Sequence, residues 1–177
     1  DLQIWKEPEN IRCDLDLSAI VYNENFQVMT QISYTHLKDE KFQCYHSGDI
    51  TSAPNGASEY VDINLNAVKS LGGRYVLLNV FSFSHIPFID LPEAFAGFME
   101  REKPQSGEIY EPKTVVNRID LTANSKSVST LLIDVVEKTV TWLDIHLKNV
   151  ASINSVEGNN ASLKEIAESI VNIEKPN

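Results

Sequence analysis

Asp14-Leu15-Asp16-Leu17-Ser18-Ala19-Ile20-Val21-Tyr22 alternates with a period of two. In a β-strand that period sends Asp14 and Asp16 to one face and Leu15 and Leu17 to the other. Asn23-Glu24-Asn25 follows with turn chemistry, and a second strand-like run extends from Phe26 to Tyr34. Residues Phe42 to Tyr45 lead into a polar loop, and the alternation resumes from Tyr60 to Leu65, with Val61, Ile63 and Leu65 on one face. Asn66 to Leu71 fits one helical turn ended by Gly72-Gly73.

Arg74 to Phe83 is almost continuously apolar, as expected of a central strand covered on both faces or of a sandwich core. Ile86 to Pro92 carries two prolines and reads as a loop; Ala94 to Met99 reads as an edge strand. Lys103 to Pro112 is a second polar excursion. Val115 to Leu121, Ser129 to Val136 and Thr139 to Leu147 complete the strand set, the last two joined tightly through Glu137-Lys138. Short strands at this spacing predict an all-β fold, an antiparallel β-sandwich of two packed sheets.

The tail has another character. Val156 to Asn160 is a polar linker, and Ser162-Leu163-Lys164-Glu165 fits a capping box. Leu163, Ile166, Ala167, Ile170 and Ile173 then fall on one helical stripe. Such a stripe needs a surface to cover it, so Leu163, Ile166 and Ile170 are candidate partner-binding residues, for this domain, a second copy or another chain. The organisation expected is a sandwich over residues 1–150 and a linker with an amphipathic helix over 151–177. The opening Asp1-Leu2-Gln3-Ile4-Trp5 reads as the middle of a strand, which suggests a chain cut from a longer parent with its first strand incomplete.

Fifteen basic and twenty-five acidic residues leave a formal charge of -10. That balance argues against a nucleic-acid or anionic-membrane surface. No apolar run approaches the length that spans a bilayer. Cys13 and Cys44 are the only cysteines, too few for a disulfide scaffold and without metal spacing, which points to a cytoplasmic protein.

Oxygen chemistry concentrates in two places. His46-Ser47-Gly48-Asp49-Ile50-Thr51, followed by Pro54-Asn55-Gly56-Ala57-Ser58-Glu59, gathers hydroxyls and carboxylates in one loop, and Asp14 and Asp16 lie upstream. Brought together at one end of a sheet, they suit a hard cation such as calcium. Two carboxylates at i and i+2 of one strand repel each other, and a bound cation would relieve that. Without Asp49 and Glu59, a half-exposed strand with its polar residues outward would explain Asp14 and Asp16 equally well. Glu59 and Asp62 project to opposite sides of a strand, so Asp62 reads as plain surface.

His36, His46, His85 and His146 show no zinc spacing. His46 beside Ser47 and Asp49 lacks a nucleophile elbow and a third member, so a structural or surface role suits it better than a triad. Nothing here points to an enzyme. Asn160-Ala161-Ser162 matches a glycosylation sequon but serves equally as a helix start.

These residues resemble a family. Trp5, Cys13-Asp14-Leu15-Asp16-Leu17-Ser18, Ser47-Gly48-Asp49 with Thr51, and Gly56 with Glu59 and Ile63-Asn64-Leu65 are similar to the tellurium-resistance TerD family. The resemblance is continuous from about Leu2 to Phe83 and topological to Leu147. The phrases around His46 to Pro54 and Leu91 to Phe98 also resemble a divergent TerD-like domain of longer, RING-containing bacterial proteins.

The resemblance implies a calcium-binding sandwich of bacterial stress response and tellurite resistance, without enzymatic activity. Its metal positions fall on Asp14, Asp16, Asp49, Thr51 and Glu59. There are departures: Lys6 stands where the family has aspartate, Ala57 and Ser58 replace its paired aspartates, and Ser52-Ala53-Pro54 replaces its second glycine-rich half. Calcium commonly takes about six to eight oxygens, so these losses weaken a site or abolish one of two.

Trp5, Trp142, Phe81, Phe83, Phe95 and Phe98 read as core. The rival function is a carbohydrate- or peptide-binding sandwich with at most a structural ion, which requires exposed aromatics on one face. The expected partners are a protein or other domains of a longer parent, with self-association as a further possibility.

Overall fold

The computed structural model describes residues 2–4, 15–48, 57–82, 94–98, 117–121, 126–146 and 159–174. Its centre is the pair β2 (Leu15–Asn23) and β8 (Gly73–Ser82), antiparallel from Leu15↔Ser82 to Asn23↔Gly73. β3 (Val28–Ile32), β11 (Ser127–Asp134) and β12 (Thr139–His146) extend it to a five-stranded sheet, in the order β12-β11-β8-β2-β3. The turn after β2 is built by Asn23, whose Oδ1 accepts from the backbone N–H groups of Asn25 (2.9 Å) and Gln27 (3.0 Å). The turn lifts Phe26 into a left-handed conformation (φ 56°), from which its ring stacks on Tyr75 at 4.7 Å.

Both faces of this sheet are covered. One carries Ile20, Tyr22, Tyr75, Leu77, Phe81, Leu132 and Leu143, packed with Leu163, Ala167 and Val171 of α2 (Asn160–Glu174). The other carries Ala19, Val21, Val76, Leu78 and Leu131, packed with Phe42, Cys44 and Val68. Residues Leu15 to Tyr22 are therefore buried throughout, whichever way they point. The polar face expected for Asp16 does not exist: it is 2 % exposed, on the sheet face whose Ile20 and Tyr22 pack with α2. The near-continuous apolar run of β8 is the central strand its composition predicted.

The remaining strands form two smaller sheets. β1 (Leu2–Ile4), β6 (Ala57–Glu59), β9 (Ala94–Phe98) and β10 (Asn117–Asp120) pair in the order β10-β9-β1-β6. β9 is thus an interior strand, not the expected edge. β4 (Lys38–Asp39), β5 (Cys44–His46) and β7 (Val61–Ile63) pair in the order β4-β5-β7. The run Tyr60 to Leu65 is strand only at β7, and Leu65 already opens a helix; Ala57 to Glu59, expected within the polar loop, form β6 in a different sheet. The result is the antiparallel β-sandwich that the strand spacing implied, with a C-terminal helix closing its outer side.

α1 (Leu65–Ser70) starts at Asn64, whose Oδ1 accepts from Ala67 N–H at 3.0 Å. It ends at Gly72, which supplies φ +91°, and Gly73 then passes so close to α1 that a Cβ there would lie 2.4 Å from Val68 Cγ1. α2 begins at Asn160, so Ser162 lies inside its first turn and the expected capping box is not its start. Its stripe is consumed within the chain. Leu163 is fully buried against the five-stranded sheet, and Ile166 and Ile170 pack beside it, while Ile173 stays 80 % exposed. Trp142 is also corrected: expected in the core, it is 37 % exposed on β12, its ring tilted against that of Phe98 with centroids 5.6 Å apart. Among the described residues no helix is long and apolar enough to cross a membrane.

Candidate functional site

β3 covers β2 only from Ala19 to Tyr22, so the edge of β2 near Leu17 lies beyond the reach of that strand. A strand edge inside a protein must find hydrogen-bond partners elsewhere. Leu17 finds them in two side chains. Its N–H donates to Glu59 Oε2 at 3.1 Å, and its carbonyl accepts from His46 Nε2 at 2.9 Å. Glu59 ends β6 and His46 ends β5, so two side chains from two other sheets stand in for the missing neighbour strand.

The histidine's protonation follows from its partners. Gly48 N–H donates to His46 Nδ1 at 3.0 Å, which makes Nδ1 an acceptor; Nε2 then carries the proton given to the Leu17 carbonyl. The hydrogen-bond pattern assigns a neutral imidazole. His46 Nε2 and Glu59 Oε2 lie 3.6 Å apart with side chains 0 % and 1 % exposed. A carboxylate so buried is tolerable only where donors meet it, and the Leu17 amide is one. Gly48 reaches its position with φ +113°.

Of the expected metal residues, Asp16 and Glu59 are described. The amide that Glu59 holds is the one joining Asp16 to Leu17. Asp14, Asp49 and Thr51 lie outside the described residues. So do Cys13 and His85. Among the described residues no three His, Cys, Asp or Glu side chains are grouped as they would be around a metal ion. The donor chemistry that is described, two buried carboxylates, is all oxygen and suits a hard cation rather than zinc.

The surroundings are rigid. Cys44 on β5 is buried, and burial, with Asp39 adding to it, pushes its thiol up to about 12, so it is an inert apolar filler. Asp39 binds the Thr30 hydroxyl at 2.6 Å and the Phe42 N–H at 3.1 Å, tying β4 to β3. Burial works against its charge, but these hydrogen bonds outweigh it and hold the carboxyl below its ordinary value. Glu59 and Asp62, expected on opposite sides of one strand, belong to β6 and β7 of different sheets: Glu59 is wholly buried and Asp62 half-buried.

Sequence reasoning anticipated Glu59 and Asp16 but assigned His46 no specific partner. Nor did the sequence single out Tyr45 and Tyr60, which are 41 % and 38 % exposed.

No protein-family model matches the chain, and no curated protein matches its sequence. A solved structure does share its architecture: the one described as the unknown-function protein SAV2460 superposes with a TM-score of 0.58 at 16 % identity, over 89 % of this chain and 93 % of that one. At that identity the likeness establishes a common fold.

Proposed function

We propose that the chain is a non-enzymatic, calcium-responsive binding or scaffold module of the bacterial stress-response and tellurite-resistance type, acting in the cytoplasm for a protein partner or for other domains of a longer parent. One observation carries this reading. His46 and Glu59 stand on either side of the oxygen-rich segment 49–56, and both are fastened to Leu17, next to Asp16. Hydrogen bonds between residues that flank the two segments support the site that the TerD resemblance implies. The buried oxygen donors suit calcium, and the loss of carboxylates at Ala57 and Ser58 argues for a weak site.

Calorimetric titration of the whole chain with calcium tests the reading. The expected result is a saturable heat and a melting temperature that rises with calcium, as for any ligand selective for the native state. Asp16→Asn should remove most of both effects. Glu59→Gln should do the same while leaving an oxygen for the Leu17 amide, which separates ion binding from folding. No heat and an unchanged melting temperature at millimolar calcium would sink the proposal.

A further inference from the structure

We infer that the outer face of the three-stranded sheet binds a neutral pyranose chain, with Tyr45 and Tyr60 as its stacking surfaces; this site is independent of the ion reading. The register places Tyr45 opposite Asp62, and two bonds of 2.9 Å, Ser47 N–H to the Tyr60 carbonyl and Tyr60 N–H to Ser47 Oγ, carry the ladder one pair further. Inward alternation takes Cys44, His46, Glu59, Val61 and Ile63 toward the core; Tyr45, Ser47, Tyr60 and Asp62 therefore face out. Tyr45 and Tyr60 are diagonal neighbours on that face, a relation that spans about 7 to 8 Å and lies within reach of aromatic side chains.

The face has the composition such a ligand demands. A sugar ring offers a C–H face that packs on an aromatic ring and a rim of hydroxyls that both donate and accept. The tyrosines supply the first. For the second, Gln43 Oε1 accepts from Asn64 Nδ2 at 2.8 Å, which commits its oxygen and presents its amide NH2 group as a donor, and Asp62 brings carboxylate acceptors. The sheet beneath is anchored by the buried Phe42 and Cys44.

The alternatives fit less well. A net charge of -10 disfavours acidic glycans and phosphates, and the nearby Lys38 is engaged by Glu40 at 3.1 Å. β5 is flanked by β4 and β7, so an extended peptide finds no backbone to pair with at Tyr45.

The whole chain is to be titrated with cellohexaose, xylohexaose and mannohexaose, followed by calorimetry and by the tyrosine ring resonances. At least one should bind in the micromolar to millimolar range and shift both rings, in calcium or in chelator alike. Tyr45→Ala and Tyr60→Ala should each weaken it roughly tenfold, with the melting temperature unchanged. Binding of none of the three, or binding that survives the double variant, overturns the inference. So does concentration-dependent self-association that the double variant abolishes, since the face would then belong to a second copy.

Discussion

Leu17 shows how much one backbone residue can organise when its hydrogen bonds go to side chains. Glu59→Ala would leave a buried N–H unmet, a loss of about 1–3 kcal/mol, whereas Glu59→Gln keeps an acceptor and should cost less. Denaturant unfolding of the two variants checks the order. Gly48→Ala meets no atom within 4 Å of the new Cβ, so its penalty is conformational alone, about 1–3 kcal/mol for a side chain forced to φ +113°. At the far end of the sheet, Arg74 holds Asp134 through two bonds of 2.9 Å, and Asp134 caps its own turn by accepting from Val136 and Glu137 N–H. Burial opposes the charge of Asp134, but these donors prevail and lower its pKa below the ordinary value of 3.8. A carboxyl depressed on folding contributes stability above its unfolded pKa and loses it as pH falls through the folded one. The melting-temperature gap between the native chain and Asp134→Asn should therefore be full at neutral pH and shrink below about pH 4, with 3.8 as the unfolded reference.

At the scale of elements, α2 is the part whose role the sequence left open. Its apolar stripe was legible, and so was its need for cover, but a helical period carries no address for what covers it. The sheet answered through Phe81, Leu77 and Tyr22, which lie on the face that strand alternation assigned to polar groups. Leu163→Ala should cost about 2–5 kcal/mol, read by chemical denaturation, since it empties a fully buried site. The strands of the five-stranded sheet were legible because their apolar runs are long. β9 was mistaken for an edge, because pairing order depends on β1 and β10 far away in sequence. β6 was hidden within the polar loop for a similar reason: its partner β1 is far away in sequence. For the candidate site, residue type pointed to Asp16 and Glu59. Only the fold revealed that Glu59 binds the peptide N–H that follows Asp16.

Across the whole molecule, charge and topology set behaviour in solution. With an isoelectric point of about 4.8, the chain should be least soluble near pH 5, and turbidity against pH should peak there. Its far-ultraviolet circular dichroism should be dominated by strand, with helix limited to α1 and α2 among the described residues. The Leu17 clamp has a consequence for neighbours as well as for the fold. An exposed run of amides and carbonyls along β2 would be an open template on which a strand from another molecule could assemble. A carboxylate and an imidazole satisfy that template yet offer no backbone of their own for the next molecule to join. The chain thus ends a ladder without adding a strand, and His46→Ala with Glu59→Ala should strand a buried amide and a buried carbonyl together, a loss that denaturant unfolding should read as larger than that of either single variant.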